Sequence, residues 1–472
     1  MGLRSLTRLL RCSSFLLVLT ATACQQQGLS NQRPAPLPQD PLIQVYFNHE
    51  PSAEYTEPYR QRTRPGDDLE KEIVDAIASA KSTVDVAVME LRLPKIAQAL
   101  VDRQKAGVKV RVILDKTYSH PLSAIAPDQV AKLPARERDR YEGDRQLMQL
   151  SGDALTILRG GGVPIIDNTA NGSGSGIMHH KFVIVDDQTL IVTSANFTTK
   201  QIHGAMNHPE SQGDANNLLK IESPQLVALF TQEFNLMWGD GPGGKPETKK
   251  FGLLKPFRLI QQVKVGNTLI EVDFSPASKS QPWEQSGNGL IGRTLSTASK
   301  SIDLALFVFS APRLADILGT DHQRGVEERA LISRDFAYRP YSEGLTMQGF
   351  ASNSCKYKAV QHPWQNPITT VGVPQLPQGE LLHHKFAVID GQTAITGSHN
   401  WSEAANTKND EDLLVIHSPT VAAHFEREFE RLYANAKLGV PAKIKRKIQQ
   451  SQTQCFIKTT ASPSDSERAL ED

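Results

Sequence analysis

His179-His180-Lys181-Phe182-Val183-Ile184-Val185-Asp186 and His383-His384-Lys385-Phe386-Ala387-Val388-Ile389-Asp390 are two versions of one stretch in a chain of 472 residues. Each reads as a short buried β-strand, an apolar run between polar ends. Residues two apart on a strand share a face, so His179 lies beside Lys181 and His383 beside Lys385, while Phe182 and Phe386 turn to the other side. Asp187-Gln188 and Gly391-Gln392 suit two-residue hairpin turns, and the strand-like runs Thr189 to Thr193 and Thr393 to Thr396 follow them. That register sets His179 opposite Asn196, Lys181 opposite Ser194, His383 opposite Asn400 and Lys385 opposite Ser398. The hairpin is expected to gather His, Lys, Ser and Asn on one face, twice. Asp186 and Asp390 stand at odd spacing from their histidines and are read as structural, facing away to hold the hairpin or the lysine.

The repetition extends outward. Leu42-Ile43-Gln44-Val45-Tyr46-Phe47 returns as Leu269-Ile270-Glu271-Val272-Asp273-Phe274, and Lys81-Ser82-Thr83-Val84-Asp85 returns as Lys300-Ser301-Ile302-Asp303. Matched blocks in one order mark a duplicated domain, and an offset that shrinks from 227 to 204 residues places the differences in loops. Gly239-Asp240-Gly241-Pro242-Gly243-Gly244 is the joint. Leu69 to Ser82 and Lys95 to Lys105 read as helices, Val84 to Met89 and Val108 to Leu114 as strands. The expected fold class is α/β: two pseudo-symmetric domains, residues 42–245 and 246–436, each a mixed sheet flanked by helices. Residues 117–153, helix-like from Arg136 to Gln149, are an insertion that the second copy partly lacks, read either as a lid or as a surface excursion. The stretches Gln225 to Trp238 and Thr420 to Tyr433 carry Phe at helical spacing and belong to the core. Lys443 to Lys447 is a solvated helix face within a tail over 437–472.

With 39% hydrophobic and 22% charged residues the composition is globular. Residues 1–23 resemble a secretory signal, in which Arg4, Arg8 and Arg11 precede the run Phe15 to Leu19 and the small-residue site Ala21-Thr22-Ala23-Cys24. Cys24 fits the lipidated position of a lipobox, which makes a cell-envelope lipoprotein the expectation, with simple cleavage and release as the other outcome; residues 24–41 then form a flexible tether. Without the three signal arginines the chain is slightly acidic, so no global basic field gathers nucleic acid. Cys355 and Cys455 either pair in an exported protein or stay as two free thiols. No Cys/His cluster has zinc-ligand spacing.

Lysine supplies positive charge, Ser and Asn supply neutral donors, and an uncharged imidazole attacks phosphorus or moves a proton, a set suited to a phosphodiester. The pattern His-x-Lys-x4-Asp-x6-Gly-Ser-x-Asn resembles the phospholipase D superfamily. The second copy fits through His383, Lys385, Asp390, Gly397, Ser398 and Asn400; the first fits through His179, Lys181, Asp186, Ser194 and Asn196, with Thr193 in place of Gly. The resemblance implies a phosphodiesterase with no metal and no cofactor, whose halves meet with both motifs in one cleft. One His forms a phosphohistidine and the other protonates the leaving alcohol. It also implies an acidic residue after each motif that orients a His across the interface. Glu411 occupies that position in the second copy, and Asn216 stands there in the first, with Glu210 or Asp214 as substitutes. On that pairing Glu411 backs His179, which becomes the expected nucleophile, with His383 as general acid.

The motifs bind only the phosphate common to lipids and nucleic acids. Export, tethering and near-neutral charge favour a phospholipid substrate at a membrane surface, by hydrolysis or phosphatidyl transfer. The alternatives are an exported nuclease, with Arg60, Arg62 and Arg64 beside Tyr55 and Tyr59 as a short basic groove, and a silent envelope-binding protein. His180 and His384 are read as satisfied core histidines, and His203 and His208 as loop residues near substrate or solvent.

Overall fold

The computed structural model describes residues 33–171, 176–351 and 361–460. The signal segment, Cys24 and Cys355 lie outside the described residues, as does the side chain of Cys455. The tether expected through Pro41 ends earlier. Gln39 exchanges two hydrogen bonds with the backbone of Val45, and Asp40 accepts from the amides of Leu42 and Ile43, so the chain is docked from there onward.

The first sheet is built from β1 (Ile43–Phe47), β2 (Thr83–Val88), β3 (Lys109–Leu114), β4 (Ile165–Asp167), β5 (Lys181–Val185), β6 (Thr189–Thr193) and β7 (Asn217–Glu222), in the order β1-β7-β6-β5-β2-β3-β4. The second holds β8 (Gln261–Val265), β9 (Thr268–Ser275), β10 (Ser301–Leu306), β11 (Glu327–Ile332), β12 (Val371–Val373), β13 (Lys385–Ile389), β14 (Thr393–Gly397), β15 (Glu411–His417) and β16 (Lys437–Leu438). Its order is β8-β9-β15-β14-β13-β10-β11-β12-β16. Leaving out the edge strands β8 and β16, the two sheets have one topology. In each, a parallel pair (β2/β3, β10/β11) meets the antiparallel hairpin that carries the histidine. The two sheets are therefore mixed; the apolar runs of the histidine blocks are central strands buried on both faces, while the block Leu42–Phe47 forms the edge strand β1 with alternating burial.

Two long helices start alike, at Ser223-Pro224 and Ser418-Pro419, where the serine hydroxyl accepts the amide of Leu226 or Val421 and proline needs no partner for a missing N–H. Phe230 and Phe234 from one, Phe425 and Phe429 from the other, share one core with Phe182 and Phe386 of the two sheets. That common core fixes the halves against each other and leaves the histidine ends of β5 and β13 at their interface.

Candidate active site

His179 and His383 immediately precede Lys181 and Lys385, the first residues of β5 or β13 after one further histidine, and each is seated by the other half of the chain. Met178 pairs with Asp410 and Ala215 with Leu382 as short parallel bridges. The His179 amide donates to the Asp410 carbonyl at 2.9 Å, and the His383 amide to the Ala215 carbonyl at 3.1 Å. The side chains cross the same seam. Glu411 Oε2 lies 2.6 Å from His179 Nδ1 and accepts the Ser398 hydroxyl at 2.7 Å. Asn216 Oδ1 lies 3.0 Å from His383 Nδ1 and accepts the Ser194 hydroxyl at 2.8 Å. Neither Glu210 nor Asp214 takes that place; Asp214 is spent on Lys200 and the Leu381 amide.

The Asn216 amide also settles a tautomer. Its Nδ2 donates to the carbonyls of Gln201 and Asp214, at 2.9 and 3.0 Å, so its oxygen faces His383. A neutral His383 that donates to this oxygen carries its proton on Nδ1, and its unprotonated Nε2 faces the Lys385 ammonium at 3.2 Å. Burial lowers the pKa of both imidazoles. At His383 the lysines Lys385 and Lys181 add to it and push the ring well below its ordinary value; at His179 the Glu411 carboxylate works the other way and limits the fall. Burial would raise Glu411, yet His179 and Lys181 outweigh it and hold the carboxyl at about 2. Both lysines are buried, each donating to the carbonyl of its own motif histidine at 2.6 Å. Desolvation lowers Lys181 to about 8 and brings Lys385 well below the usual ammonium range.

The hairpin register differs from the expected one by a single residue. Val185 pairs with Thr189 and Ile389 with Thr393, so each loop has three residues and begins at the aspartate. Asp186 and Asp390 have φ of 52° and 53°, outside strand geometry. There the Asp186 carboxylate accepts the amides of Lys81, Ser82 and Thr83 and the Ser82 hydroxyl. Asp390 does the same for Ser299, Lys300 and Ser301. These aspartates fasten the hairpin to the start of β2 or β10 and touch neither lysine. Ser and Asn consequently reach the site by leaving the strand, not by lying across from His and Lys. In the second half Gly397, at φ 133°, lets both Ser398 and His399 donate to the Asp412 carbonyl, a bulge. Thr193 keeps an ordinary φ and instead donates its hydroxyl to the Asn217 carbonyl at 2.6 Å. Asn196 and Asn400 end in the same state: the buried Oδ1 of each has no protein partner.

His180 and His384 are fully buried with both ring nitrogens bonded, His180 to Asp412 and Glu233, His384 to Asn217 and Glu428. His203 sits between Tyr55 and Glu70, and His208 bonds Asp139 of the insertion, so neither faces the two reactive rings. Arg60 and Arg64 do not form a groove: their guanidinium groups hold the carbonyls of Ile202, His203, Ala205, His208, Ser211 and Gln212 and brace that longer loop. The insertion crosses the seam, with Arg136 2.7 Å from Asp335. Next to Asp335, Phe336 packs on Phe307, and Phe307 on the His383 ring at 4.7 Å. Below the insertion lies a cavity of about 390 Å³ whose wall includes Arg140, Lys200 and Asp214. Phe307, Lys200 and Asn409, which donates to Glu411 at 3.0 Å, were not singled out by sequence, because no local pattern distinguishes them from core or loop residues.

The family profile described as "Cardiolipin synthase, PLD-like domain" matches residues 73–238 and 291–433, more than half of the chain. The chain belongs to this family, within the phospholipase D superfamily. Mitochondrial cardiolipin hydrolase of Xenopus laevis is 29% identical over 184 residues, covering 38% of this chain and 78% of that relative. A probable phospholipase D of Caenorhabditis elegans is 21% identical over 393 residues, 76% of this chain and 64% of the relative. The crystal structure of phosphatidylserine synthase from Haemophilus influenzae superposes with a TM-score of 0.53 at 13% identity, over 91% of this chain and 96% of that one, a likeness of fold. Two PLD-like segments in one chain agree with the two sheets of matching topology, and the motif histidines of both segments lie at their shared interface.

Proposed function

We propose that this chain cleaves the phosphodiester of phospholipids in two steps, through a phosphohistidine, at the seam between its PLD-like halves. The observation that carries the chemistry is the crossed support of two imidazoles, one by a carboxylate and one by an amide, with a buried lysine beside each. The lipid substrate is inferred from the description of the family and the names of the relatives. The engagement of Arg60 and Arg64 with backbone carbonyls removes the cluster that the nuclease reading would use.

The first step needs a neutral attacker and a protonated donor. His383 meets the first condition: its Nδ1–H points to Asn216, its Nε2 carries no proton and is 3.2 Å from Lys385, and the lysines oppose a charge on the ring. His179 is the better placed of the two for the second, because Glu411 favours its imidazolium against the burial that lowers both rings. We therefore assign the attack to His383 and the proton to His179, the reverse of the order expected when stabilisation of the phosphorylated ring alone is weighed. The His383 Nε2–phosphorus bond forms as the bond from phosphorus to the leaving alcohol breaks, and that oxygen takes the His179 proton. Neutral His179 then removes a proton from water, whose oxygen attacks phosphorus and frees His383; an alcohol in place of water gives phosphatidyl transfer. Lys181, Lys385, Asn196 and Asn400 are placed to receive charge on the phosphoryl oxygens.

The test is to offer the full chain, in EDTA, vesicles of cardiolipin or phosphatidylglycerol and, separately, single-stranded DNA. Release of phosphatidic acid or phosphatidylglycerol from the lipids, with intact DNA, is expected; DNA cleavage with inert lipid overturns the lipid reading. His179→Ala, given a phosphatidyl ester of p-nitrophenol that needs no acid to leave, is expected to accumulate the adduct on His383 in peptide mass spectra. An adduct on any other residue overturns the assignment.

A further inference from the structure

The segment that joins the two halves is turned inside out. Between the edge of the first PLD-like segment and β8, Leu253, Leu254, Phe257 and Leu259 are 60, 50, 41 and 59% exposed, while Lys255 in their midst is buried. Lys255 Nζ reaches Glu233 at 2.5 Å, Asp410 at 2.7 Å and the Ser275 carbonyl at 2.8 Å. Arg258 is likewise drawn in to Glu233 and over the Phe274 ring. Isolated exposed leucines are ordinary, but four of the six large apolar side chains that the described residues expose fall within seven positions, and a buried cation between them holds the backbone so that they face out.

Two further observations identify what such a surface would meet. From Lys245 to Lys264 the sequence has six Lys or Arg and one acid, Glu247. With Lys255 and Arg258 spent on Glu233, Lys245, Lys250 and Lys264 still flank the apolar residues on both sides, the pattern of an interfacial segment that enters the headgroup layer of an anionic bilayer. The segment is also tied to the reaction centre by one residue: the Asp410 carboxylate accepts the Gly252 amide at 2.7 Å and binds Lys255, and its carbonyl accepts the His179 amide. Residues 245–264 lie between the stretches 73–238 and 291–433, so this strap belongs to the present chain and not to the shared domain.

We infer that residues 253–259 are a membrane-contact strap that seats the chain on an anionic phospholipid surface beside its cleft, an inference that rests on the lipid reading of the site. The full chain is to be floated with vesicles of equimolar phosphatidylcholine and phosphatidylglycerol, and with vesicles of phosphatidylcholine alone. Binding is expected to the first and to be much weaker to the second. Leu253→Glu with Leu254→Glu should lower partitioning about tenfold or more, since two leucines lose their burial in the interface, with turnover of the soluble diester bis(p-nitrophenyl) phosphate within twofold of wild type. Phe257→Glu with Leu259→Glu is the second variant, in case the first disturbs the Gly252 contact. Unchanged flotation of both variants overturns the strap, as does a wild type that light scattering finds dimeric and the variants monomeric, which would assign the patch to a second copy. A chain whose strap variants lose flotation but that turns over no lipid keeps the strap and refutes the lipid chemistry instead.

Discussion

Where the second half of the molecule has Glu411-Asp412, the first half has Asn216-Asn217, and both pairs reach across the seam. The pairs stand at the start of β15 and, with Asn216 just before it, of β7, strands at the same place in sheets of the same order, and the first residue of each pair meets the reactive histidine of the other half and the second the neighbouring buried histidine. The geometry is duplicated and the charge is not. Burial opposes the cationic form of both His180 and His384, but hydrogen bonds that the His180 ring gives to the Asp412 and Glu233 carboxylates raise it above its ordinary pKa, while His384, with Asn217 and Glu428, is lowered. Of the four histidines, only His180 is raised above its ordinary value; His179, His383 and His384 are lowered, with the fall at His179 limited by the Glu411 carboxylate. A two-step transfer at one phosphorus uses one neutral and one protonated imidazole, and the carboxylate on one side and the amide on the other bias which ring takes which role.

The comparison is broken most severely at its carboxylate. Glu411→Gln is expected to cost about a hundredfold in kcat on phospholipid, within the range of a lost general-acid contribution. It should cost far less on a p-nitrophenyl ester, whose leaving group needs no proton. Equal losses on both substrates would mean that Glu411 only holds the fold.

The two hairpin ends supply the next test. A Cβ on Gly397 would stand 2.4 Å from the Asp412 carbonyl oxygen, at a φ that side chains avoid. Gly397→Thr should therefore lose about 2 to 3 kcal/mol in urea unfolding, and Thr193→Gly about 1 kcal/mol, chiefly through the hydroxyl given to Asn217. Similar losses at both sites would show that the halves share one backbone there after all.

A smaller and more specific change is expected from Asn216→Asp. A carboxylate facing His383 favours its imidazolium and raises its pKa, and the protonated ring cannot attack. The acid limb of kcat/KM should then move to higher pH by about one unit, roughly tenfold at a fixed acid pH, and return in the Asn216→Gln variant. Some loss of Tm should accompany it, because the new oxygen confronts the carbonyls of Gln201 and Asp214. An unmoved acid limb would take His383 out of the attacking role.

Much of this molecule is written locally. The duplication, the core strands and the pairing of His179 with Lys181 and His383 with Lys385 follow from strand periodicity and from blocks of residues that travel together, and the position of Glu411 and Asn216 follows from the resemblance to the phospholipase D superfamily. The structure alone decided the rest, each time through a partner far along the chain. The hairpin loops gained a residue because Asp186 and Asp390 satisfy amides about 90 to 105 positions earlier, which no turn rule sees. Arg60 and Arg64 looked like a cationic surface until a loop some 150 residues away supplied carbonyls for them, and Lys255 became a core residue because Glu233 and Asp410 met it there. Apolar patterning is a property of neighbours in sequence, so the sequence determines the sheets and the chemistry on them. Whether a charged group faces water, phosphate or another charge is fixed only when distant segments are folded together.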